Sequence, residues 1–419
     1  MRTVDNWIDS YMELYSSAES PEVYVRWSAI TAVAAALQRK VMFNRGFLSI
    51  YPNLFVVLVG PGAIGKGVSM HHARNLLAEL GIPMCSEKAT ERGLINQMLK
   101  CRSVAEKADG THISHSSLTL FAPEITVFFK RQQTEIIDTL CDIYDSGTAS
   151  GGSWTVSTGM YGEQTIQNLW FSFIGGMTPD NLQKLVLKDV IGSGLSSRII
   201  FIYADKRVRA TPFPTFTDTQ QALFQKLKND LNEIYKLVGD FIPSKQFIKR
   251  YSEWYLVNKV EENYPIKDKK FHAYCDRRVG LHLPKLCMIV SAARRDDLTI
   301  TEEDFDIALK YLLEAEESMP LAFSGVGRMG ELGAIMFEVK EKVRVKQVVR
   351  YSKLLEEYQF EIEEGYLWGI LQTLVRTGQV TLAPVVIKGD TKGFKYYRDN
   401  PREALDWEIR ALKLGTNDE

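Results

Sequence analysis

Residues 54–69 read Leu-Phe-Val-Val-Leu-Val-Gly-Pro-Gly-Ala-Ile-Gly-Lys-Gly-Val-Ser, an apolar strand that runs directly into a glycine loop closed by Lys66. No other stretch constrains the fold as tightly. The strand is β-prone up to Gly60. From Val68 to Leu80 apolar residues recur at near-helical spacing until Gly81 and Pro83 stop them. A strand, a glycine loop and a helix in this order form an anion nest. The loop's backbone N–H groups turn inward, the helix offers its positive N-terminal end, and a lysine at position 66 reaches the outer phosphates of a nucleotide. Gly60, Pro61, Gly62, Ala63, Ile64, Gly65, Lys66, Gly67 and Val68 are therefore the expected nucleotide-binding residues, and ATP the expected ligand. One position departs from the pattern. The residue after the lysine normally carries a hydroxyl that sits on Mg2+, and here it is Gly67. Ser69 points roughly 200° away from it on an ideal helix, so magnesium ligation is the first property in question.

The chain has 419 residues, 45% of them apolar and 25% charged, which is enough to bury large cores in two or three domains. No apolar run approaches the roughly 20 residues that span a bilayer, and Met1-Arg-Thr-Val-Asp-Asn-Trp lacks the apolar core of a signal peptide. A cytoplasmic protein with no membrane partner is expected. Cys85, Cys101, Cys141, Cys275 and Cys287 are scattered singly and read as small buried apolar residues, with no disulfide framework or zinc module. His112 and His115 lie in a stretch read as a polar loop with no further ligands nearby, so no metal site is assigned. The net charge of −1 argues against a wholly basic nucleic-acid coat, although a narrow basic pore would not show in the total.

Two helices are expected over 4–40, the second from Pro21 to Lys40, followed by a strand near Lys40–Phe43. Thr90 is placed to cap a helix, and strands and helices alternate to about residue 205, the rhythm of a three-layer α/β domain with a largely parallel sheet. A charged, helix-rich region follows, and Gly325, Gly327, Gly330 and Gly333 loosen the chain after it. Three helices and the strands Val380–Ile387 and Gly393–Arg398 then suggest a winged helix. The expected organisation is an N-terminal helical segment (1–45), an α/β core (46–210), a helical region (211–325) and a winged-helix-like domain (326–419).

Hydrolysis needs a carboxylate at the end of a neighbouring strand. Glu124, closing Ser117-Leu-Thr-Leu-Phe-Ala-Pro-Glu, is the candidate to orient and deprotonate the attacking water. The residue before it, usually an aspartate that holds magnesium through water, is Pro123. Thr178 ends a buried-looking strand after Gly175-Gly176-Met177, where its hydroxyl either touches the γ-phosphate or attacking water or caps the helix that begins at Pro179. Arg198 follows the glycine turn Gly192-Ser-Gly194 and reads as an arginine finger for a neighbouring subunit or as a salt-bridged surface arginine.

Tyr24-Val-Arg-Trp-Ser-Ala-Ile, Tyr51-Pro-Asn-Leu-Phe-Val-Val-Leu-Val-Gly-Pro, Gly-Gly-Met-Thr-Pro-Asp and Ile191-Gly-Ser-Gly-Leu-Ser-Ser-Arg-Ile-Ile-Phe together resemble a phage and mobile-element family. Its members are P-loop ATPases of replication modules, often associated with a primase and related to superfamily 3 and other AAA+ helicases. The resemblance covers roughly residues 5–320 and implies an AAA+-like P-loop core. It also implies a homo-oligomeric ring, a hexamer by that resemblance, with ATP and Mg2+ between subunits and single-stranded or forked DNA as partner. By that analogy Lys66 and Glu124 act in cis, Arg198 in trans, and Thr178 senses the phosphate.

Helicases of that layout place a hairpin before the sensor strand. Ser146–Gly159 occupies this position and reads as two short strands around Gly151-Gly152, with Trp154 available to stack on a base. The segment carries no lysine or arginine; Lys130, Arg131, Lys184 and Lys188 are the nearby cations, of which Lys184 and Lys188 join Trp154 as the expected DNA contacts. A plain surface hairpin is the competing reading. Arg278 in Arg277-Arg278-Val-Gly-Leu-His-Leu-Pro-Lys285 resembles the lid-helix basic residue that returns to the γ-phosphate, with Arg277 and Lys285 as competitors. The cations Lys340, Lys342, Arg344, Lys346 and Arg350 suit duplex DNA, a protein partner or plain solvation. The expected function is a replicative DNA helicase or translocase. The alternatives are an ATP-switched initiator or helicase loader with little turnover, and a regulatory ATPase that binds proteins alone.

Overall fold

The computed structural model describes residues 2–130, 135–145, 152–158, 162–186, 194–207, 209–212, 215–260, 262–266, 271–323, 330–359, 362–384 and 407–411. The chain forms two compact units, Met1–Ala322 and Phe323–Glu419.

The first unit opens with α1 (Trp7–Leu14) and α2 (Glu22–Leu37), then β1 (Val41–Arg45), β2 (Leu48–Ile50) and β3 (Phe55–Val59). Next come α3 (Lys66–Glu79), α4 (Glu91–Lys100), β4 (Arg102–Glu106), β5 (His112–Ala122), α5 (Thr126–Lys130) and α6 (Glu135–Asp145). A hairpin of β6 (Ser153–Thr158) and β7 (Gly162–Gln167) leads into β8 (Leu169–Met177), α7 (Pro179–Val186) and β9 (Ile199–Tyr203). The unit ends with α8 (Asp218–Tyr235), β10 (Gly239–Pro243), α9 (Lys245–Val260), α10 (His272–Arg277), a π turn at Arg278–His282, α11 (Leu283–Arg294), β11 (Thr299–Ile300) and α12 (Glu302–Ala322).

The central sheet has the order β4-β5-β8-β3-β9. Strands β5, β8, β3 and β9 run parallel, and only the edge strand β4 is antiparallel. Every residue of β3 and β8 is buried, as expected for strands covered on both faces, and this is why neither shows apolar alternation. α2 is the apolar partner of this layer: thirteen of its sixteen residues are buried, so it is apolar all round rather than striped. The helical region after Asp218 is packed into the same unit, with α12 against β9 and α11 against α2. A second sheet, β11-β10-β1-β2, ties β1 near the N-terminus to β10 in the helical region through a parallel pairing of Val41–Phe43 with Gly239–Phe241. Among the described residues no helix is long and apolar enough to cross a membrane.

Several expectations are corrected. The stretch 106–117 is mostly strand: a turn from Lys107 to Thr111 folds β5 back on β4, and both histidines lie on β5. The hairpin strands both follow Gly152 rather than flanking it. Gly152 has φ +90°, and a Cβ there would stand 2.5 Å from the Arg39 guanidinium and 2.4 Å from the Asn168 amide oxygen, so the glycine serves the base of the hairpin. Trp154 pairs with Ile166 near that base, away from the tip.

In the second unit α13 (Gly330–Lys346), β12 (Val348–Arg350), α14 (Tyr351–Tyr358), α15 (Glu364–Arg376), β13 (Val380–Pro384) and β14 (Trp407–Ala411) surround a small core. Ile335, Val339 and Val343, four residues apart on α13, meet Leu354, Leu367, Leu371 and Leu374. The sheet is antiparallel in the order β12-β14-β13. The strand that pairs with Val380–Pro384 is thus Trp407–Ala411; residues 393–398 lie outside the described residues.

Candidate functional site

The loop Gly60–Gly65 leaves the C-terminal end of β3, the end at which parallel sheets collect ligands beside a strand crossover. Two residues hold it in left-handed backbone, Ala63 at φ +60° and Gly65 at φ +98°, the N-cap of α3. Pro61, Gly62 and Ala63 are exposed at its crest, whereas Ile64 is buried as its apolar anchor.

The N-terminal helices fix the loop from below. The Tyr24 hydroxyl donates to the Val59 carbonyl at 2.6 Å and also meets the Ala204 carbonyl at 3.1 Å. Ser20 donates to the Gly65 carbonyl at 2.9 Å, and Arg207 donates to the Ala63 carbonyl at 2.6 Å. A Cβ at Gly60 would lie 2.3 Å from the Ala204 carbonyl oxygen and 2.4 Å from the Tyr24 hydroxyl, and one at Gly65 would lie 2.5 Å from the Ser20 hydroxyl. These two glycines are there because neighbouring chain occupies the space of a side chain. Ser20 and Arg207 were not singled out from the sequence, since nothing in their local pattern announces a contact with a loop tens of residues away.

Lys66 is 8% exposed and donates to the carbonyls of Gly60 (2.6 Å) and Pro61 (2.7 Å). Burial pushes its ammonium below the usual lysine range, and the Glu124 carboxylate pulls it partly back. That attraction reflects the site's main feature: Lys66 and Glu124 share the C-terminal edge of the sheet, although β8 separates their strands. Two glycines of β8 allow this convergence. At Gly176 a Cβ would stand 2.4 Å from the Pro123 carbonyl oxygen, and at Gly175 one would stand 2.5 Å from Ile125. The Ile125 N–H donates to the Gly176 carbonyl at 2.9 Å and pins the turn that carries Glu124. Thr126 and the Asn181 amide, the latter at 3.4 Å, both donate to Oε1 of Glu124.

Thr178 stands at the same edge and accepts from the Asn181 N–H at 3.3 Å, so its hydroxyl caps α7. Asn181, which no sequence pattern marked, links that cap to Glu124.

The magnesium positions carry no oxygen donor. A Cβ at Gly67 would be 3.5 Å from the Cβ of Pro123, so the two departures from the usual pattern face one another. Ser69 turns its hydroxyl to the Lys66 carbonyl at 2.8 Å and is 2% exposed. Among the described residues no cluster of three His, Cys, Asp or Glu forms a metal site.

Arg198 is at the opposite end of the sheet. It immediately precedes β9, whose first residue Ile199 pairs with Phe55, so the length of β3, about 16 Å at 3.3 Å per residue, separates it from the loop. Its guanidinium donates to the Gly194 carbonyl at 2.5 Å and pairs with Asp145.

Arg278 corrects an expectation. It is 1% exposed, ion-paired with Glu316, bonded to Asn258 at 3.0 Å and stacked 5.1 Å over Trp254. A guanidinium so committed inside the helical region is a core group and does not return to a phosphate. Its competitors are committed as well: Lys285 donates to the Asn53 carbonyl and side chain at 3.0 and 2.8 Å, and Arg277 to Asp145 and Ser197, both at 3.1 Å. Of the expected DNA contacts, Trp154 is half-buried on the hairpin, Lys184 is on α7, and Lys188 lies outside the described residues.

No protein-family model matches the chain, and no curated protein is detectably similar to it. The family resemblance read from the sequence stays an expectation.

Proposed function

We propose that this chain is an ATP hydrolase that assembles into a ring and drives movement along, or separation of, nucleic-acid strands, as a helicase or translocase of a phage or mobile-element replication system. The observation that carries the reading is that Lys66 and Glu124 stand at one sheet edge on either side of Gly176, above a loop in which Gly60 and Gly65 are sterically required. Loop amides and the N-terminus of α3 suit the phosphates, and a phosphate oxygen draws the Lys66 ammonium from the two carbonyls it now serves. Glu124, oriented by Thr126 and Asn181 through Oε1, presents its second oxygen to take the proton of the attacking water. Thr178 acts on this site by setting the start of α7 and hence Asn181.

ATP fits these residues. Neither Gly67 nor Pro123 has a side-chain oxygen for magnesium, so the metal would rest on the phosphates, water and Glu124, and the reading routes no step through it. The hairpin before β8 and the second unit's order of helix, strand, helix, helix, strand, strand support the helicase and winged-helix readings respectively. In the second unit Lys342 is paired with Glu357 and Arg344 with Glu341, which leaves that face less basic than the sequence alone indicates.

A forked-duplex assay tests the proposal: ATP-dependent strand separation by the wild-type chain, lost in Glu124→Gln, is the expected result. A second reading, an ATP-switched initiator or loader with little turnover, is favoured by the Gly67–Pro123 contact. It predicts ATP-dependent assembly on DNA without strand separation.

A further inference from the structure

The β1–β2 hairpin and α9 enclose an apolar groove of about 480 Å3 whose walls include Phe43, Phe247, Tyr251 and Tyr255. Along its rim α9 carries Ile248, Ser252, Leu256 and Val260, one residue every four, and so on one stripe of the helix. The three aliphatic side chains of that stripe are half or more exposed. The hairpin turns on Gly46, at φ +61°, and the other turn residue, Phe47, is fully exposed. An aromatic knob, an apolar groove and an aliphatic stripe thus lie on one face, a contiguous patch of the kind that a protein partner covers.

The face carries its own complement. Phe43 meets Phe247 with ring centroids 6.1 Å apart and Arg45 lies over the Tyr255 ring at 5.3 Å, so β1 follows α9 in the same direction and the hairpin tip overhangs the C-terminal half of the helix. When α9 of a second copy lies antiparallel to this one, each tip comes level with the N-terminal half of the other helix, where Ile248 lines the groove. The charges agree with that orientation. Lys249 and Glu253 are exposed and lie off the groove, on the other flank of the stripe. In an antiparallel pair this flank meets itself in reverse order, so Lys249 of each copy comes beside Glu253 of the other. Ser252, the smallest residue of the stripe, stands midway between Ile248 and Leu256, where the axis passes, and lets the helices approach. We infer that this face joins two copies of the chain about a two-fold axis, with Phe47 of each seated in the groove of the other. The contact is isologous, the same patch on both copies, and is therefore separate from the head-to-tail contacts that close a ring. It does not depend on the nucleotide reading.

Cross-linking and mass measurement test this on the full-length chain without nucleotide. Ser252→Cys sets two thiols across the axis, so a mild thiol oxidant is expected to link it into a dimer that the wild-type chain, with its five native cysteines, does not form. Light scattering across a concentration series is expected to show wild-type dimers that Leu256→Asp abolishes and Phe47→Ser weakens. Lys249→Glu sets glutamate against glutamate twice and weakens association about tenfold, and Lys249→Glu combined with Glu253→Lys restores it. A wild-type chain that stays monomeric throughout the series, leaving the face to a different protein, overturns the inference. So do equal masses of the wild-type chain and Leu256→Asp, or a double charge reversal that fails to restore what the single one lost. None of these results bears on the phosphate loop, whose part in ATP hydrolysis Lys66→Ala tests separately.

Discussion

A Cβ placed on Gly67 would stand 3.5 Å from the Cβ of Pro123, an ordinary van der Waals contact. The two positions that usually bring a hydroxyl and a carboxylate to magnesium are neighbours in space here, and neither side chain carries oxygen. There is room for the missing chemistry. Gly67→Ser with Pro123→Asp is expected to fold normally and to lower the magnesium concentration for half-maximal ATP hydrolysis by about tenfold or more. A magnesium titration of turnover measures it.

The loop glycines separate sharply. Gly60→Ala forces a methyl group to 2.3 Å from the Ala204 carbonyl oxygen, whereas at Gly62 an added Cβ meets nothing within 4 Å. Gly60→Ala is expected to abolish nucleotide binding and Gly62→Ala to retain it, as titration with a fluorescent ATP analogue reads directly.

Tyr24→Phe removes the hydroxyl that serves Val59 and Ala204, so the Val59 carbonyl keeps only the Ala204 N–H at 3.1 Å and the Ala204 carbonyl loses its tyrosine partner beneath the loop. The cost is about 1–3 kcal/mol, expressed as weaker nucleotide binding by roughly tenfold with little change in the far-ultraviolet spectrum. An unchanged dissociation constant would mean that the loop holds its form without this support.

The strand, loop and helix around Lys66 were legible in the sequence because their signals are local: a run of apolar β-formers, glycines at fixed offsets and a helical period. Glu124 was legible for the same reason, as a carboxylate closing an apolar strand. What escaped was set by distant chain. Ser20 and Arg207 touch the loop from residues far from it in sequence, and Asn181 reaches Glu124 from another strand end. Arg278 was misread because a basic residue on a helix looks the same whether it faces a phosphate or a buried Glu316 contributed by α12. The hairpin shifted along the chain because Gly152 answers to Arg39 and Asn168 rather than to a turn.

Arg278→Ala is accordingly a stability variant. It strands the Glu316 carboxylate in the core, where burial already pushes that group up from the usual carboxylate range, and is expected to cost about 3–5 kcal/mol. Chemical denaturation should show the loss, with unchanged ATP affinity in the folded fraction. Full stability with a selective loss of ATP over ADP discrimination would restore the γ-phosphate role.

Acid should destabilise the first unit. Burial lowers the pKa of His115 to about 4 and that of His282 to about 3. Both folded values lie below the ordinary 6.5, so between about 6.5 and 4 the unfolded chain binds protons that the folded chain refuses. Stability is full above 6.5 and lost as pH falls, on the order of 2 kcal/mol from each histidine at pH 5. Urea midpoints measured from pH 7.5 to 5 follow this trend, and His115→Gln should flatten it.

The most direct measurement is steady-state ATP hydrolysis by the wild-type chain, Lys66→Ala and Glu124→Gln, each with and without single-stranded DNA. The account predicts turnover that rises with DNA, loss of ATP binding in Lys66→Ala, and retained binding without turnover in Glu124→Gln. Equal turnover in Glu124→Gln and the wild-type chain would contradict it, because the meeting of Lys66 and Glu124 would then have no part in the chemistry.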